Sequence, residues 1–367
     1  MTEREKEILQ WITQDPFLSQ EEIAKRAGIA RSSAAVHISN LVRKGKIKGR
    51  GYILEPEEYI TVVGGANIDI SGTSYTPILE EDSNPGHVSV SLGGVGRNIA
   101  DNLCRLGARV SLITAMGEDS HAEQIRLSCR ELGIDLKHSR VLTGERTSTY
   151  LCINDSNGEM RLAVSDMEIC RHITPDYVRS KLEFINRSAL VVMDANLCEE
   201  TIAYLTDHCT APLFVDPVST KKAVKLKEHL RNVFCLKPNR IEAELLSGVS
   251  IHDEGDLQIA ADAMHHKGVG IVFISLGAQG VYYDDGKIRG IHPCYSGPIE
   301  NTTGCGDAFM AAVAYGYQSG KDTSVMTRMG LAAAALCSET AGAVRQDLSY
   351  SLLENRCMKM EEMNDEA

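Results

Sequence analysis

Residues 301–309 read N-T-T-G-C-G-D-A-F and lead into an apolar helical pattern. Gly304 and Gly306 permit backbone angles that other residues avoid, so the chain can turn here from an extended run into a helix. At the start of a helix, free N–H groups and the positive end of the helix dipole favour an anion. Asp307 in that position suits a general base, which would accept the proton of an attacking hydroxyl group while the surrounding amides stabilise a transferred phosphoryl group. The alternative is an ordinary helix cap, because Asp is a frequent N-cap residue.

The composition predicts a globular protein of ordinary type. The chain has 367 residues, of which 43% are apolar and 24% charged, enough for one large α/β domain and a small accessory domain. Since it has no N-terminal leader pattern and no apolar run of about 18 residues, we expect a cytoplasmic protein without a membrane partner. The eleven cysteines include no C-x-x-C pair, which predicts reduced thiols rather than disulfides or a structural zinc site.

Charge divides the chain into two parts. Residues 1–54 contain ten Lys and Arg against six Asp and Glu, a net charge of +4, whereas the remaining residues contain 28 against 44, a net charge of −16. A small basic segment attached to a large acidic one is typical of a nucleic-acid-binding module joined to an enzyme.

The basic segment, residues 1–54, has the pattern of a small helical domain. Helices are predicted at residues 3–13, 20–26 and 31–44, with a short hairpin at 47–54. The third helix would turn Ile38, Leu41 and Val42 inward. The segment resembles the winged helix-turn-helix of bacterial regulators, which implies DNA binding through the third helix and the hairpin. The residues expected to contact DNA are Arg31, Ser32, Ser33, His37, Lys48 and Arg50. A role in dimerisation or protein contact alone is the alternative.

A charged linker at residues 55–59 precedes a second domain, which we expect to cover residues 60–360. From about residue 109 this domain alternates β-branched strand patterns with helical patterns, which predicts a doubly wound, mostly parallel α/β sheet. The stretches 70–92 and 147–165 instead contain short alternating runs and predict a small antiparallel sheet.

Polar residues follow several of the predicted strands. Because the carboxyl ends of parallel strands meet at one edge of an open sheet, these residues should collect there and bind a ligand. They are Asn67, Asp69, Asp194, Asn196, Asp216, Asn239 and Gly277. Asn239 and Glu242 lie one helical turn apart and suit a Mg²⁺ ion held through waters, although a helix cap has the same spacing. Neither a complete G-x-G-x-x-G fingerprint nor a G-x-x-x-x-G-K-[ST] loop occurs, so a P-loop fold is not expected.

Four motifs, taken in order, resemble one known family. They are G-G-x-G-x-N-x-A at residues 93–100, N-x-x-E at 239–242, S-L-G-A-Q-G at 275–280 and T-T-G-C-G-D-A-F at 302–309. Together they resemble the ribokinase-like (PfkB) family of sugar and nucleoside kinases over about residues 60–350. The resemblance implies phosphorylation of a hydroxyl group with ATP and Mg²⁺. It also implies that the antiparallel strands form a lid, which often pairs subunits into a homodimer.

The resemblance implies a role for each motif residue. Asp307 would be the catalytic base, and the amides of Gly304, Cys305, Gly306 and Asp307 would form the anion hole. The residues implied at the ATP site are Asn239, Ser275, Gly277 and Gly280, with Asn239 and Glu242 serving Mg²⁺ and the phosphates. The residues implied at the substrate site are Asn67, Asp69, Gly93, Gly94, Asn98 and Asn196.

Four shorter segments resemble the pseudouridine kinases within this family. They read G-G-A-N-I-D-I at 64–70, A-V-S-D-M-E-I at 163–169, D-A-N-L at 194–197 and D-P-V-S-T-K-K at 216–222. The implied acceptor is the 5′-hydroxyl group of pseudouridine, with Asp166 near the uracil. Ribose, another furanose sugar or a purine nucleoside is the alternative substrate, and a ligand-sensing transcription regulator is the alternative function.

Two residues of the last motif depart from the family pattern. Asn301 stands where an Asp is usual, and Cys305 where an Ala is usual. Several relatives bind a monovalent cation such as K⁺ beside the anion hole, and the sequence leaves open whether this protein does. A thiol at a helix N-terminus has a lowered pKa, so Cys305 is a candidate for oxidation, with a small residue that merely fits as the alternative.

Overall fold

A computed structural model of the protein describes residues 1–48, 58–295 and 297–365. The chain divides into two compact units, Met1–Glu58 and Tyr59–Ala367. The predicted hairpin beyond Lys48, including Arg50, and most of the predicted linker lie outside the described residues.

The N-terminal unit consists of three helices around one apolar core. They are α1 (Glu3–Gln14), α2 (Gln20–Ala27) and α3 (Arg31–Arg43). Capping boxes begin α1 at Thr2 and α2 at Ser19. The core includes Ile8, Ile12, Ile23, Ala34, Ile38 and Leu41. Val42, which was predicted to point inward, is 46% exposed, because Leu41 takes the core position and the next residue lies about 100° further around the helix.

The C-terminal unit alternates strands and helices along the chain. Its strands are β1 (Ile60–Val63), β2 (Asn67–Ser74), β3 (Gly86–Gly93), β4 (Val110–Ile113), β5 (Ala115–Gly117), β6 (Arg140–Leu142), β7 (Thr149–Asn154), β8 (Met160–Asp166), β9 (Leu190–Asp194), β10 (Leu213–Asp216), β11 (Val233–Leu236), β12 (Ile271–Ser275), β13 (Val281–Asp284) and β14 (Arg289–His292). Its helices are α4 (Val95–Arg105), α5 (Ser120–Leu132), α6 (Pro175–Asn186), α7 (Glu199–His208), α8 (Thr220–Ala223), α9 (Arg240–Ser247), α10 (Glu254–His266), α11 (Cys305–Gln318), α12 (Thr323–Ser338) and α13 (Tyr350–Asp365). Within the described ranges, no helix has the length and apolarity that crossing a membrane requires.

Eight strands form the central sheet, in the order β14-β13-β12-β11-β10-β9-β1-β4. The strands from β12 to β4 run parallel, whereas β13 and β14 add an antiparallel edge. Alternate residues of each strand face two apolar clusters: in β9, Val191 and Met193 face one, and Leu190 and Val192 face the other. Helices α6, α7, α9 and α10 cover the first face and α4, α5, α11 and α12 the second. The predicted doubly wound, mostly parallel α/β fold is confirmed.

A second, four-stranded sheet, here called the lid, has the order β3-β2-β7-β8. Its outer pairs are antiparallel, as predicted, but the central pair of β2 and β7 is parallel. The chain reaches β7 from β2 only after a crossover through α4 and α5, so β7 enters the lid in the same direction as β2. This long-range crossover leaves no local signal in the strand sequences.

The lid has one apolar and one polar face. Strand pairing aligns two apolar rows, Val90-Ile70-Leu151-Val164 and Val88-Gly72-Ile153-Leu162. The row next to Val90-Ile70-Leu151-Val164, one residue away along each strand, is polar and consists of Ser91, Asp69, Tyr150 and Ser165. Because successive side chains of a strand point to opposite faces, the apolar and polar rows lie on opposite sides of the lid.

Candidate active site

Charged and polar residues meet at the carboxyl edge of the central sheet. Asp194 and Asp216 end β9 and β10 and stand side by side in the parallel register. Lys237 follows β11, and its Nζ lies 3.1 Å from Oδ2 of Asp216. Further along the edge, Asn239 forms a parallel bridge with Ser275 at the end of β12. The sheet therefore brings together at one edge residues that are far apart in the sequence.

Asp307 lies in the first turn of α11 but does not cap it. The capping position belongs to Gly304, whose φ is +82°, and no side chain caps this helix. A Cβ atom on Gly304 would lie 1.9 Å from the carbonyl oxygen of Ala343, so only glycine fits there. The N–H of Cys305 donates to the carbonyl oxygen of Thr302 at 3.3 Å, whereas those of Gly306 and Asp307 have no capping side chain and can face an anion. The capping interpretation of Asp307 is wrong.

The carboxylate of Asp307 is buried against α4. Only 9% of the residue is exposed, and Nδ2 of Asn98 donates to its Oδ2 at 2.8 Å. Nη1 of Arg97 donates to Oδ1 of Asn98 at 3.2 Å, which orients the amide so that its nitrogen faces Asp307. Burial, and then the charge of Asp216, raise the pKa of Asp307 to about 8. Such a carboxyl group is suited to take up a proton near neutral pH.

Lys237 interacts with three acidic side chains. Burial lowers the pKa of Lys237, but the charges of Asp216, Asp307 and Glu242 outweigh that effect and raise it. The ammonium group also lies close to the start of α11, since a Cβ atom on Gly306 would be 3.1 Å from Nζ. Sequence reasoning missed Lys237 as a site residue, although a basic residue directly after a buried strand was a usable signal.

Asp194 holds two glycine-rich loops together. Its Oδ2 accepts hydrogen bonds from the backbone N–H groups of Gly65 and Gly96, each at 2.8 Å. A Cβ atom on Gly64 would lie 2.4 Å from the same oxygen, so the loop rests directly on the carboxylate. Because Gly96 is in the first turn of α4, this contact helps to set the position of Asn98. The sequence placed Asp194 at the sheet edge but did not indicate this role.

Most of the predicted substrate residues surround these loops. Nδ2 of Asn67 donates to Oδ1 of Asp69 at 2.5 Å, and burial raises the pKa of Asp69. A Cβ atom on Gly93 would lie 2.2 Å from Oδ2 of Asp69, and one on Gly94 would lie 2.5 Å from the carbonyl oxygen of Gly65. The two glycines therefore allow the backbone to approach the carboxylate and the neighbouring loop.

Two predicted substrate residues have other surroundings. Oδ1 of Asn196 accepts a hydrogen bond from Nζ of Lys222. Asp166 pairs with Thr149, whereas Asp69 shares its row with Tyr150. Since Thr149 and Tyr150 point to opposite faces, Asp166 is on the face of the lid opposite Asp69. Asp166 and Asp69, both predicted at the substrate site, therefore cannot face the same ligand from one side of the lid, and Tyr150 lies on the side of Asp69.

A cavity of about 860 Å³ opens beside the start of α11. Its lining includes the four predicted ATP residues and two residues of the anion loop: Asn239, Ser275, Gly277, Gly280, Cys305 and Gly306. Glu339, just after α12, also lines it, and no motif indicated that residue. The volume and the uncapped helix start together fit a nucleoside triphosphate.

Asn239 and Glu242 form a capping box at the start of α9. Oδ1 of Asn239 accepts from the N–H of Glu242, and Oε2 of Glu242 accepts from the N–H of Asn239, both at 2.9 Å. Burial and the charge of Asp216 raise the pKa of Glu242, and a nearby divalent cation would relieve this concentration of negative charge. Over the ranges that the structure describes, no cluster of three or more His, Cys, Asp or Glu side chains is suited to hold a metal ion. Mg²⁺ would therefore be held here mainly by water and phosphate oxygens.

Cys305, the first residue of α11, has a thiol partner. The thiols of Cys305 and Cys337 lie within hydrogen-bonding range, and this interaction lowers the pKa of Cys305 and raises that of Cys337. Since Cys305 also lines the large cavity, a modification of its sulfur would reach the nucleotide site.

The predicted recognition helix, α3, begins at the surface of the N-terminal unit. Arg31, Ser32 and Ser33 are exposed, as is Lys48 after the last helix, whereas His37 is half-buried. The start of α3 is therefore accessible to a partner.

Residues 57–348 match the model of the pfkB family carbohydrate kinases. The chain belongs to this family. It is a phosphotransferase that uses a hydroxyl group as acceptor. Residues 1–48 match a winged helix-turn-helix DNA-binding model.

Relatives and solved structures agree with this assignment. The pseudouridine kinase of Escherichia coli K12 is 37% identical over 311 residues, which cover 82% of this chain and 98% of that protein. An uncharacterized sugar kinase of the same strain, YeiI, is 36% identical over 348 residues, or 94% of this chain and 95% of that protein. A carbohydrate kinase from Agrobacterium tumefaciens superposes with a TM-score of 0.72 at 31% identity, covering 82% of this chain and 97% of that one. Arabidopsis thaliana ribokinase, solved with ribose and ATP, has a TM-score of 0.73 at 22% identity over 82% of this chain and 98% of its own, a likeness of fold alone.

Proposed function

We propose that this protein is a Mg²⁺-dependent nucleoside kinase that phosphorylates the 5′-hydroxyl group of pseudouridine. The observation that carries the proposal is the buried Asp307, which has a raised pKa and lies at the uncapped start of α11. The 37% identity with the pseudouridine kinase of E. coli favours this substrate. Ribokinases of Haemophilus influenzae and Bacillus subtilis are 28% and 26% identical, and the guanosine-inosine kinase of Exiguobacterium acetylicum is 25% identical.

Different residues of the chain act in substrate binding, proton transfer and charge stabilisation. Asn67, Asp69 and the Gly93-Gly94 backbone bind the ribose hydroxyl groups, and the polar face of the lid covers the base and excludes water. Asp307 accepts the proton of the 5′-hydroxyl group as that oxygen attacks. The amides of residues 304–307 stabilise the charge on the phosphoryl group in transfer, and Lys237 adds a positive charge nearby. ATP with Mg²⁺ supplies the phosphoryl group when bound.

A substrate panel with purified full-length protein tests this function. ADP formation is measured with pseudouridine, uridine, purine nucleosides, ribose and fructose. We expect turnover of pseudouridine, a loss of about 100-fold or more in Asp307→Asn, and no loss in the exposed control Asp207→Asn. Turnover of ribose or a purine nucleoside instead would replace the substrate but keep the mechanism. Binding of pseudouridine in a thermal shift without any turnover would favour the ligand-sensing regulator.

We also propose that residues 1–54 bind DNA, because α3 presents Arg31, Ser32 and Ser33 at its exposed start. Fluorescence anisotropy with duplexes selected from a random library measures the affinity of the full chain. Arg31→Ala should weaken binding and reduce the salt dependence, whereas Arg4→Ala, an exposed change on α1, should do neither. Saturating pseudouridine should change the DNA affinity if the two units are coupled, and an unchanged affinity would contradict that coupling.

We propose a homodimer formed through the apolar face of the lid. Val88, Val90, Leu162 and Val164 on that face are 64%, 55%, 61% and 53% exposed. A contiguous patch of this kind on a solvent-facing sheet is typical of a subunit interface. Light scattering should find a dimer for the wild type and a monomer for Val164→Asp, while Ile259→Asp on α10 leaves the dimer intact. A monomeric wild type would contradict the proposal.

A further inference from the structure

The back of the anion loop is hydrogen-bonded to residues 338–343, here called the strap, which comprise the last residue of α12 and the segment that follows it. Nδ2 of Asn301 donates to the carbonyl oxygen of Ala341 at 2.8 Å. Oδ1 of the same side chain accepts from the N–H of Thr303 at 2.9 Å. The second bond orients the amide, because an N–H can only be met by the oxygen, so the NH₂ group must face the strap.

Other oxygens at this junction also accept hydrogen bonds from the chain. The carbonyl oxygen of Ser338 accepts from the N–H groups of Glu300 at 2.8 Å and Asn301 at 3.2 Å. The thiol of Cys337 lies 3.4 Å from the carbonyl oxygen of Ala343 and 3.7 Å from that of Thr303. Two carbonyl oxygens at this junction, those of Ser338 and Ala341, are thus engaged by neutral N–H donors.

Two arginine side chains of the protein supply positive charge at the C-terminal end of α12. A helix C-terminus attracts cations because its last carbonyl groups are unpaired within the helix. Nη1 of Arg345 donates to the carbonyl oxygen of Leu336 at 3.2 Å and to Oε2 of Glu339 at 2.9 Å. Arg356 contacts the other oxygen of Glu339 at 2.7 Å.

These contacts do not fit the monovalent cation that the family resemblance suggested beside the anion hole. A hard cation needs several oxygen ligands, and a carboxylate among them is favourable. Here Asn301 replaces the usual Asp, so this position offers no carboxylate, and its NH₂ group directs partial positive charge toward the carbonyl oxygen of Ala341. We propose that the Asn301 amide takes the place of the cation, so that phosphoryl transfer by this protein does not depend on K⁺ or another monovalent cation. The inference rests on the proposed kinase function.

The test compares kinase rates and thermal unfolding of the full chain in KCl, NaCl and choline chloride at equal ionic strength. For the wild type we expect rates that agree within about twofold and unfolding midpoints that agree within about 1 °C. A wild-type rate that rises more than about fivefold in K⁺, or a midpoint that rises by more than about 2 °C, would overturn the inference.

Asn301→Asp should make the kinase rate and the unfolding midpoint depend on K⁺. Its carboxylate would face the carbonyl oxygen of Ala341 without a donor, so the variant should be at least about tenfold slower in choline than in K⁺ and unfold about 2 °C or more lower there. Asn186→Asp is the matched control, because the amide of Asn186 also bridges two backbone groups, the N–H of Thr210 and the carbonyl oxygen of His208. It should behave as the wild type, and a cation-independent Asn301→Asp would overturn the role given to Asn301.

The thermal-unfolding measurement shows whether the cation inference fails or the proposed kinase function fails. If no substrate is turned over in any salt, the proposed function fails, but the midpoints in K⁺ and choline still decide whether a cation binds. If Asn301→Asp does not fold, the wild-type comparison decides by itself.

Discussion

The hydrogen bond from Asn98 to Asp307 should control the pH at which this protein works. Nδ2 of Asn98 lies 2.8 Å from Oδ2 of Asp307, and the contact is buried on both sides. Since the bond stabilises the ionised carboxylate, Asn98→Ala should raise the pKa of Asp307 above its value of about 8.

The structure sets the size of the effect. A hydrogen bond to a charged group contributes about 1.5–3 kcal/mol, and about 1.4 kcal/mol corresponds to a tenfold change in ionisation. The pKa of Asp307 should therefore move to about 9 or 10. At pH 7 the ionised fraction, and with it kcat/KM, should fall about 10-fold to 100-fold, with most of the loss recovered at high pH.

The assay is kcat/KM for ATP-dependent phosphorylation of pseudouridine between about pH 5.5 and pH 10. The wild type should lose activity as the pH falls below about 8, and the acid limb of Asn98→Ala should lie at higher pH. Asn102→Ala is the matched control, because this buried amide is one turn later on α4 and donates to the carbonyl oxygen of Asn98 at 2.8 Å. An Asn98→Ala variant that is slower by the same factor at every pH would refute the reasoning. Asn98 would then act on the substrate alone, the role that the sequence suggested.

Three further variants test the anion loop. Asp307→Asn should stabilise the protein. Between about pH 4 and pH 8 the folded state holds a proton at Asp307 that the unfolded chain releases, so the stability of the wild type falls as the pH rises through that window. The unfolding midpoint of the variant should therefore exceed that of the wild type by about 5 °C at pH 8.5 and by little at pH 5. Equal midpoints at both pH values would mean that this carboxyl group is not perturbed. Gly304→Ala should reduce kcat about 1000-fold and destabilise the fold, because its Cβ would lie 1.9 Å from the Ala343 oxygen, whereas Gly320→Ala, also at positive φ but with open space around it, should leave kcat unchanged. Cys305→Ala should protect the activity from hydrogen peroxide. In the wild type the thiols of Cys305 and Cys337 can lose two electrons and two protons to form a disulfide while the peroxide is reduced to water, and the variant lacks one of these thiols. Equal sensitivity of variant and wild type would exclude Cys305 as the target.

Consecutive residues were enough to predict the α/β alternation and the helix that starts after Gly304. Strand periodicity, apolar helical faces and glycine positions are local properties, and each can be recognised within about ten residues. The same holds for the three N-terminal helices. Val42 was misplaced because a small helical domain buries only a narrow stripe of each helix, and the boundary of that stripe depends on the neighbouring helices.

The surroundings of the site residues depend on contacts between segments that are distant in the sequence. The sequence offered a cap or a functional role for both Asp307 and the Asn239-Glu242 pair, with the same local signals. The tertiary structure shows a capping box for the pair, whereas Asp307 contacts Asn98, 209 residues earlier in the chain. The parallel pairing of β2 with β7, which leaves Asp166 on the far face of the lid, depends on a crossover of the same kind. The sequence by itself therefore determined the alternation of strands and helices and the glycine-rich turn into α11, because backbone preferences act between near neighbours. Only the tertiary structure decided which side chains share a buried, low-dielectric site, because the order of the strands in the sheet brings them together and their pKa values depend on that proximity.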